Sequence, residues 1–165
     1  MASTFTHIVT VTLTSSSTTI SFTSIPDTYT DLVLKGSLRS TGTIGDPWIW
    51  APVTINGVTN GRMDLLYKRG SGIEVTNQSL SELYDYAVPS SAGIGYSATE
   101  WLFPNYSTTN QLKTGLLLGY SADLNNYNQY YWSTTSAISS ISYTLASSNN
   151  FETGSTLSLY GIKKA

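Results

Sequence analysis

Cysteine is absent from the 165-residue chain, and histidine occurs once, at His7. The first absence removes disulfides, zinc–thiolate centres, iron–sulfur clusters and thiol nucleophiles together. The second leaves a single imidazole for any Ser–His relay. His7 lies in an alternating stretch, where a histidine hydrogen-bonded on a sheet is the ordinary reading. Charge is scarce too: Asp, Glu, Lys and Arg make up 11% of the chain, against about 25% in typical globular domains. With a net charge of −2 there is no electrostatic footprint for nucleic acid. No apolar run approaches the roughly 18 residues of a spanning helix, so no membrane segment is expected. The opening residues carry neither the basic start nor the apolar stretch of a secretory signal, which suggests a chain made in a cytoplasm.

Hydroxyls stand where the charge is missing, with 24 Thr and 25 Ser, and aromatic rings are plentiful, with 12 Tyr and 4 Trp. Disordered tails are charge-rich and aromatic-poor, so this composition describes a folded chain. Its length suits one domain.

Hydrophobic spacing is mostly period two, the mark of half-buried strands. Phe5, Val9, Val11 and Leu13 fall on one face of the first stretch, with Thr4, Thr6, Thr10 and Thr12 on the other. Thr is β-branched yet tolerates water, so it suits an exposed strand face. Ile20 and Phe22 follow a Ser/Thr turn and read as the hairpin partner of that first strand. Leu32, Leu34, Gly36 and Leu38 alternate with Val33, Lys35, Ser37 and Arg39. The segment 40–52 reads as a long loop, and Val53 and Ile55 as a short strand ending in an Asn56-Gly57 tight turn. Leu65 to Arg69 reads as a strand, with Gly70-Ser71-Gly72 as a hairpin turn after it. Leu80 to Tyr86 carries the only hint of helix, and Pro89 to Ser97 reads as a loop. Thr114 to Tyr120 is a continuous apolar run, consistent with a central strand buried on both faces. Ile138, Ile141, Tyr143 and Leu145 come next, and Leu157, Leu159 and Gly161 alternate at the end. The expectation is one all-β domain over 1–165. It is a single-domain antiparallel β-sandwich, jelly-roll-like rather than a closed barrel, with about eight strands and long loops.

Catalytic constellations are hard to assemble from these residues. G-x-S-x-G does not occur. Glu82 and Asp85, or Glu100 beside Trp101, could supply the two carboxylates of a glycosidase, but such spacing recurs by chance. Asp123 to Asn126 offers oxygen ligands without the full calcium-loop pattern and reads as a polar turn. No enzyme activity, cofactor or metal is expected. Adhesion is the stronger expectation. Trp48, Trp50, Trp101 and Trp132, with Tyr106, Tyr127, Tyr130 and Tyr131, stand in stretches rich in Asn, Ser and Thr. Such rings suit sugar stacking and protein interfaces, and equally suit capping of a sandwich core.

Two terminal stretches carry a resemblance. Residues Ile25-Pro26-Asp27-Thr28-Tyr29-Thr30-Asp31-Leu32 through Lys35-Gly36-Ser37-Leu38-Arg39-Ser40 resemble the opening of a widespread group of tailed-phage virion proteins. Ala137-Ile138-Ser139-Ser140-Ile141, and Phe151 followed by Gly154-Ser155 and Leu159-Tyr160-Gly161-Ile162, are similar to that group's ending. Ile55-Asn56-Gly57 and Tyr67-Lys68-Arg69 match positions between. The match covers the first and last thirds, while the Trp-bearing middle departs. The resemblance implies a non-enzymatic β-sandwich of a phage particle, made in the host cytoplasm and carried on the virion. The expected function is a capsid decoration (cement) protein that oligomerises, as a trimer, on the major capsid protein or another virion protein. The partner-binding residues expected are Trp48, Trp50, Trp101, Tyr106, Tyr130, Tyr131 and Trp132, with Lys35 and Arg39 meeting an acidic shell surface. The alternative is a tail-fibre or receptor-binding module that recognises host surface glycan; a glycan-degrading enzyme is the third reading. No nucleic acid or membrane partner is expected.

Overall fold

The computed structural model describes residues 4–42, 48–69, 72–89, 96–121, 124–146 and 149–163. Among them are twelve strands and no helix: β1 (Phe5–Thr12), β2 (Thr19–Phe22), β3 (Asp31–Ser37), β4 (Trp48–Ile55), β5 (Gly61–Arg69), β6 (Gly72–Leu80), β7 (Tyr84–Pro89), β8 (Ala98–Phe103), β9 (Lys113–Tyr120), β10 (Leu124–Trp132), β11 (Ile141–Thr144) and β12 (Thr156–Ile162). They form an eight-stranded sheet in the order β1-β12-β3-β8-β9-β10-β5-β6 and a four-stranded sheet in the order β2-β11-β4-β7. Every pairing is antiparallel. The all-β sandwich expectation holds, with twelve strands in place of about eight.

One core joins the sheets. Leu34, Trp101, Leu117, Trp132, Met63 and Leu159 come from the large sheet, and Phe22, Val53, Ile55 and Ile141 from the small one. The alternation that puts them there is regular: β9, β10 and β12 each bury every second residue, as a strand with one covered face must. Polar bonds also cross between the sheets. Trp132 Nε1 donates to the Val53 carbonyl at 3.2 Å, and the Tyr130 hydroxyl donates to the Tyr84 carbonyl at 2.7 Å.

Several local expectations change. β1 pairs with β12, and β2 pairs with β11 in the other sheet, so the first two strands are not a hairpin. A bulge between His7 and Val9 reverses the pleat within β1. Ile8, Val11 and Leu13 therefore pack on the core, while Phe5 turns outward to stack on Tyr160 at 4.8 Å. The 40–52 loop contains the start of β4; residues 43–47 lie outside the described residues. Leu80 ends β6 and Tyr84 to Tyr86 open β7, with Ser81 to Leu83 joining them, so the segment is not a helix. The turn expected at Gly70-Ser71 and the loop at 90–95 fall outside the described residues. Asp123 does too, and Leu124 to Asn126 lie within a strand rather than a turn.

Two small features hold the frame. Asn56 and Gly57 take positive φ, 52° and 76°, as the tight turn requires. The Asn56 side chain then ties that turn to the 137–140 segment, accepting from the Ser139 and Ser140 N–H groups at 2.8 and 3.1 Å and donating to the Ala137 carbonyl at 2.7 Å. Gly161 leaves room for the Tyr29 ring, which a Cβ would meet at 2.3 Å.

Candidate functional site

Period-two geometry sends one set of side chains from the large sheet into the core and the other set outward. At the β1 and β12 end the outward set is hydroxylic. Thr10 and Ser158 are bonded at 2.7 Å, and Thr12 and Thr156 at 3.1 Å. Next along the same row, Lys35 of β3 and Glu100 of β8 form an exposed ion pair at 3.1 Å.

Beyond Glu100 the row becomes apolar. Leu118 of β9 pairs with Tyr127 of β10, Tyr127 with Leu66 of β5, and Leu66 with Val75 of β6. Tyr120 and Ile73 flank it. Leu66 is 44% exposed, Tyr127 50%, Tyr120 51%, Ile73 69% and Val75 77%. Together they bare on the order of 500 Å² of mainly apolar side chain, toward the upper end for the largest patch of a monomer. Two shallow depressions, of about 470 and 340 Å³, lie on this patch and share Leu66 and Tyr127. Of the charges bordering it, Arg62 pairs with Asp64 at 3.3 Å and Asn77 donates to Asp64, while Lys68, opposite Ile73, lines the smaller depression. The face is mainly apolar and open to solvent.

A second feature is a cleft of about 780 Å³ at the end of β5, β6 and β10, lined in part by Asn60, Arg62, Ser79, Leu112 and Tyr131. Leu112 is 55% exposed there. The cleft combines an aromatic ring, a guanidinium and hydroxyl or amide groups.

A third lies inside. Asp85 of β7 is fully buried, accepting from the Thr99 hydroxyl at 2.9 Å and the Asn126 amide at 3.3 Å. Tyr143 packs beside it, and burial first, then the Asp85 charge, raises its phenol well above the ordinary value. Asn128 donates to the Tyr130 hydroxyl at 3.0 Å. These bonds give the inward-facing Asn126 and Asn128 of β10 acceptors for their amide N–H groups in the core. Lys113, also buried, donates to the Thr108 carbonyl and hydroxyl, and desolvation lowers its ammonium below the ordinary value. The carboxylates considered for glycoside hydrolysis are dispersed, with Glu82 exposed, Asp85 enclosed and Glu100 paired to Lys35. Among the described residues no group of three His, Asp or Glu side chains could hold a metal ion.

The aromatic residues expected to bind a partner divide sharply. Trp101, Tyr106, Tyr130 and Trp132 have no exposure, which corrects that expectation for all four. Trp101 sits at the centre of the group, its ring 4.6 Å from that of Tyr130 and 5.8 Å from that of Trp132. The Tyr106 hydroxyl donates to the Pro26 carbonyl and anchors the loop before β3. These rings are core because they fall on inward strand positions or beneath the sandwich's end. Trp50 is 47% exposed and stacks flat on Tyr84 at 5.2 Å. Tyr131 is half-buried in the cleft. The side chain of Trp48 lies outside the described residues. Lys35 and Arg39 do not share one strand face: Lys35 lies within β3, and Arg39 lies past its end, paired with Glu152 at 3.3 Å. Leu66, Ile73, Val75 and Tyr120 were not singled out from sequence. The signal was present in the apolar runs, but which face each residue takes follows from the sheet order.

No protein-family model matches the chain, and no curated protein is similar to it in sequence. Two solved structures of alginate lyase Aly36B align with it weakly. One, a double mutant in complex with alginate tetrasaccharide, has 11% identity and a TM-score of 0.26 over 88% of this chain and 79% of its own. The other has 10% identity and a TM-score of 0.28 over 94% of this chain and 79% of its own. At those scores the superpositions carry no argument about chemistry.

Proposed function

We propose that the chain is a structural component of a bacteriophage particle, a capsid decoration protein that binds the head shell as an oligomer and stabilises it by adhesion. The observation that carries this reading is the apolar outer face of the large sheet. Leu118, Tyr127, Leu66 and Val75 run in one cross-strand row over β9, β10, β5 and β6. A folded monomer gains nothing by holding such a row in water, whereas an interface gains about 25 cal/mol for each Å² of apolar surface it removes from solvent. The terminal stretches that resemble tailed-phage virion proteins supply the kind of partner: another protein of the shell. The mechanism is burial of this face across a subunit of the head, with the Lys35–Glu100 pair and the hydroxyl ladder at its polar rim.

The test uses purified heads. The native protein is expected to co-sediment with them at a copy number in the hundreds. A Leu66→Asp/Tyr127→Asp double variant, altered only at exposed positions, should keep its circular dichroism and lose association. Native protein that never associates with heads, or a folded double variant that binds undiminished, overturns the reading.

A second reading, a tail-fibre module for host surface glycan, is favoured by the cleft that Tyr131 lines with Arg62 and Asn60. Rings beside amide and guanidinium groups suit sugar recognition. Retention on host envelope polysaccharide that Tyr131→Ala abolishes, with a handful of copies per particle, selects this reading over the first. Turnover of the polysaccharide would instead mark an enzyme.

A further inference from the structure

Each sheet ends in two edges, and three of these four edges are blunted. β1 carries the bulge at Ile8. β2 is four residues long. The β4–β7 ladder has a register shift between Ile49 and Ala51, and β7 ends in Pro89. Bulges, shortness and proline are the usual ways of keeping an edge from pairing.

β6 has none of them. Its nine residues pair with β5 in unbroken register from Gly61↔Leu80 to Arg69↔Gly72. The strand contains no proline, no lysine and no arginine, and its one charge, Glu74, already accepts from Tyr67. Among the described residues no backbone hydrogen bond reaches β6 except from β5. Its Ile73 and Val75 are more exposed than any other large hydrophobic side chains described. The direction of the free groups can be read from its neighbour. Leu66 turns its N–H toward β10, donating to the Asn128 side chain at 3.3 Å. Leu65 and Tyr67 therefore bond to Thr76 and Glu74, and Ile73, Val75, Asn77 and Ser79 present their N–H and C=O groups outward.

We infer that β6 is a self-association edge, and that its occupant is β6 of a second copy of this chain, antiparallel about a two-fold axis at Thr76. That register uses all nine residues. It sets Glu74 against Gln78, Val75 against Asn77 and Gly72 against Leu80, so no like charges oppose one another. The blunted β1 disfavours the head-to-tail alternative that would grow into a filament, and a two-fold contact closes on itself. The product is one continuous sheet of sixteen strands, with the two apolar outer faces coplanar across the shared edge. A nine-residue ladder with two apolar side chains buries less than the roughly 800 Å² per partner of a standard interface. The pair is therefore weak in dilute solution and strengthens where copies are concentrated on one surface. The purpose of the pairing rests on the adhesion reading, but the pairing itself does not, and it is measured with no head present.

Sedimentation velocity on the full chain, from about 10 μM to about 1 mM, should show a reversible monomer–dimer equilibrium, as a weak interface requires. Val75→Lys brings two ammonium groups close to the axis and should leave a folded monomer across that range. Amide exchange on the native protein gives a readout that needs no variant. The outward N–H groups of Ile73, Val75, Asn77 and Ser79 should gain about tenfold in protection over that range, while those of Glu74, Thr76 and Gln78, bonded to β5, stay constant. A native chain monomeric at every concentration, a trimer, or outward amides indifferent to concentration overturns the inference. Loss of head binding with the dimer intact would count against the adhesion reading alone.

Discussion

Trp101 and Trp132 offer a matched pair of perturbations. Both indoles are fully buried, and their ring centroids are 5.8 Å apart. Replacing either by Phe removes the same atoms from the same core, at about 2 kcal/mol for lost burial and the cavity left behind. The difference lies at one nitrogen. Trp132 Nε1 donates to the Val53 carbonyl, bridging the two sheets at 3.2 Å, whereas Trp101 Nε1 is buried without a hydrogen-bond partner. Trp132→Phe therefore strips a carbonyl of its donor, which costs about 1–2 kcal/mol more. Trp101→Phe removes an unsatisfied N–H and recovers a similar amount. The two variants should differ by about 2–3 kcal/mol. For a chain of this size each kcal/mol moves Tm by about 2–4 °C, so Trp132→Phe should melt roughly 5–10 °C below Trp101→Phe. Thermal unfolding followed by far-UV circular dichroism measures it, with urea titration as the check on ΔG. Equal midpoints, or Trp101→Phe the less stable, would refute the assignment of the two nitrogens.

Gly36→Ala should cost about 2–3 kcal/mol or more, because the new Cβ would stand 2.4 Å from the Thr156 carbonyl oxygen, and backbone in the middle of a sheet cannot withdraw; urea unfolding measures it. Asn56→Ala loses the bonds to Ser139, Ser140 and Ala137 and puts a Cβ-bearing residue without a local side-chain bond at a φ of 52°. It should destabilise by about 2–3 kcal/mol, with Asn56→Gly recovering a part through its freer φ. Tyr143 and Tyr106 both have phenols raised, chiefly by burial, above the ordinary 10.0. The folded state then holds protons that the unfolded chain releases, so their contribution is complete below pH 10 and is lost as pH rises beyond it. Tyr143→Phe should flatten the alkaline fall in stability measured by urea titration between about pH 9 and 11; an unchanged slope would refute the burial argument.

The period-two pattern made the strands legible where one face is apolar, as in β3 and β12, β9 was legible as a continuous apolar run, and the Asn56-Gly57 turn was legible from its dipeptide. Pairing partners were not. β1 lies against β12 at the far end of the chain, and nothing in a local window distinguishes that partner from β2. β10 was hidden for a different reason: Asn126 and Asn128 face inward and interrupt the apolar rhythm, their amide N–H groups donating to Asp85 and Tyr130 inside. With the strand hidden, Tyr130 and Trp132 looked like loop rings, and two core residues were read as adhesive. The most informative disagreement is at β9. Its run of leucines reads as a strand covered on both faces, yet in one chain Leu116 and Leu118 point outward and are only half-buried. Propensity does not require leucine there, since Thr or Tyr would serve a wet strand face equally well. On the adhesion reading proposed above, the second cover that this strand's composition calls for is another molecule. The row from Leu118 through Tyr127 and Leu66 to Val75 is where that reading seats its partner.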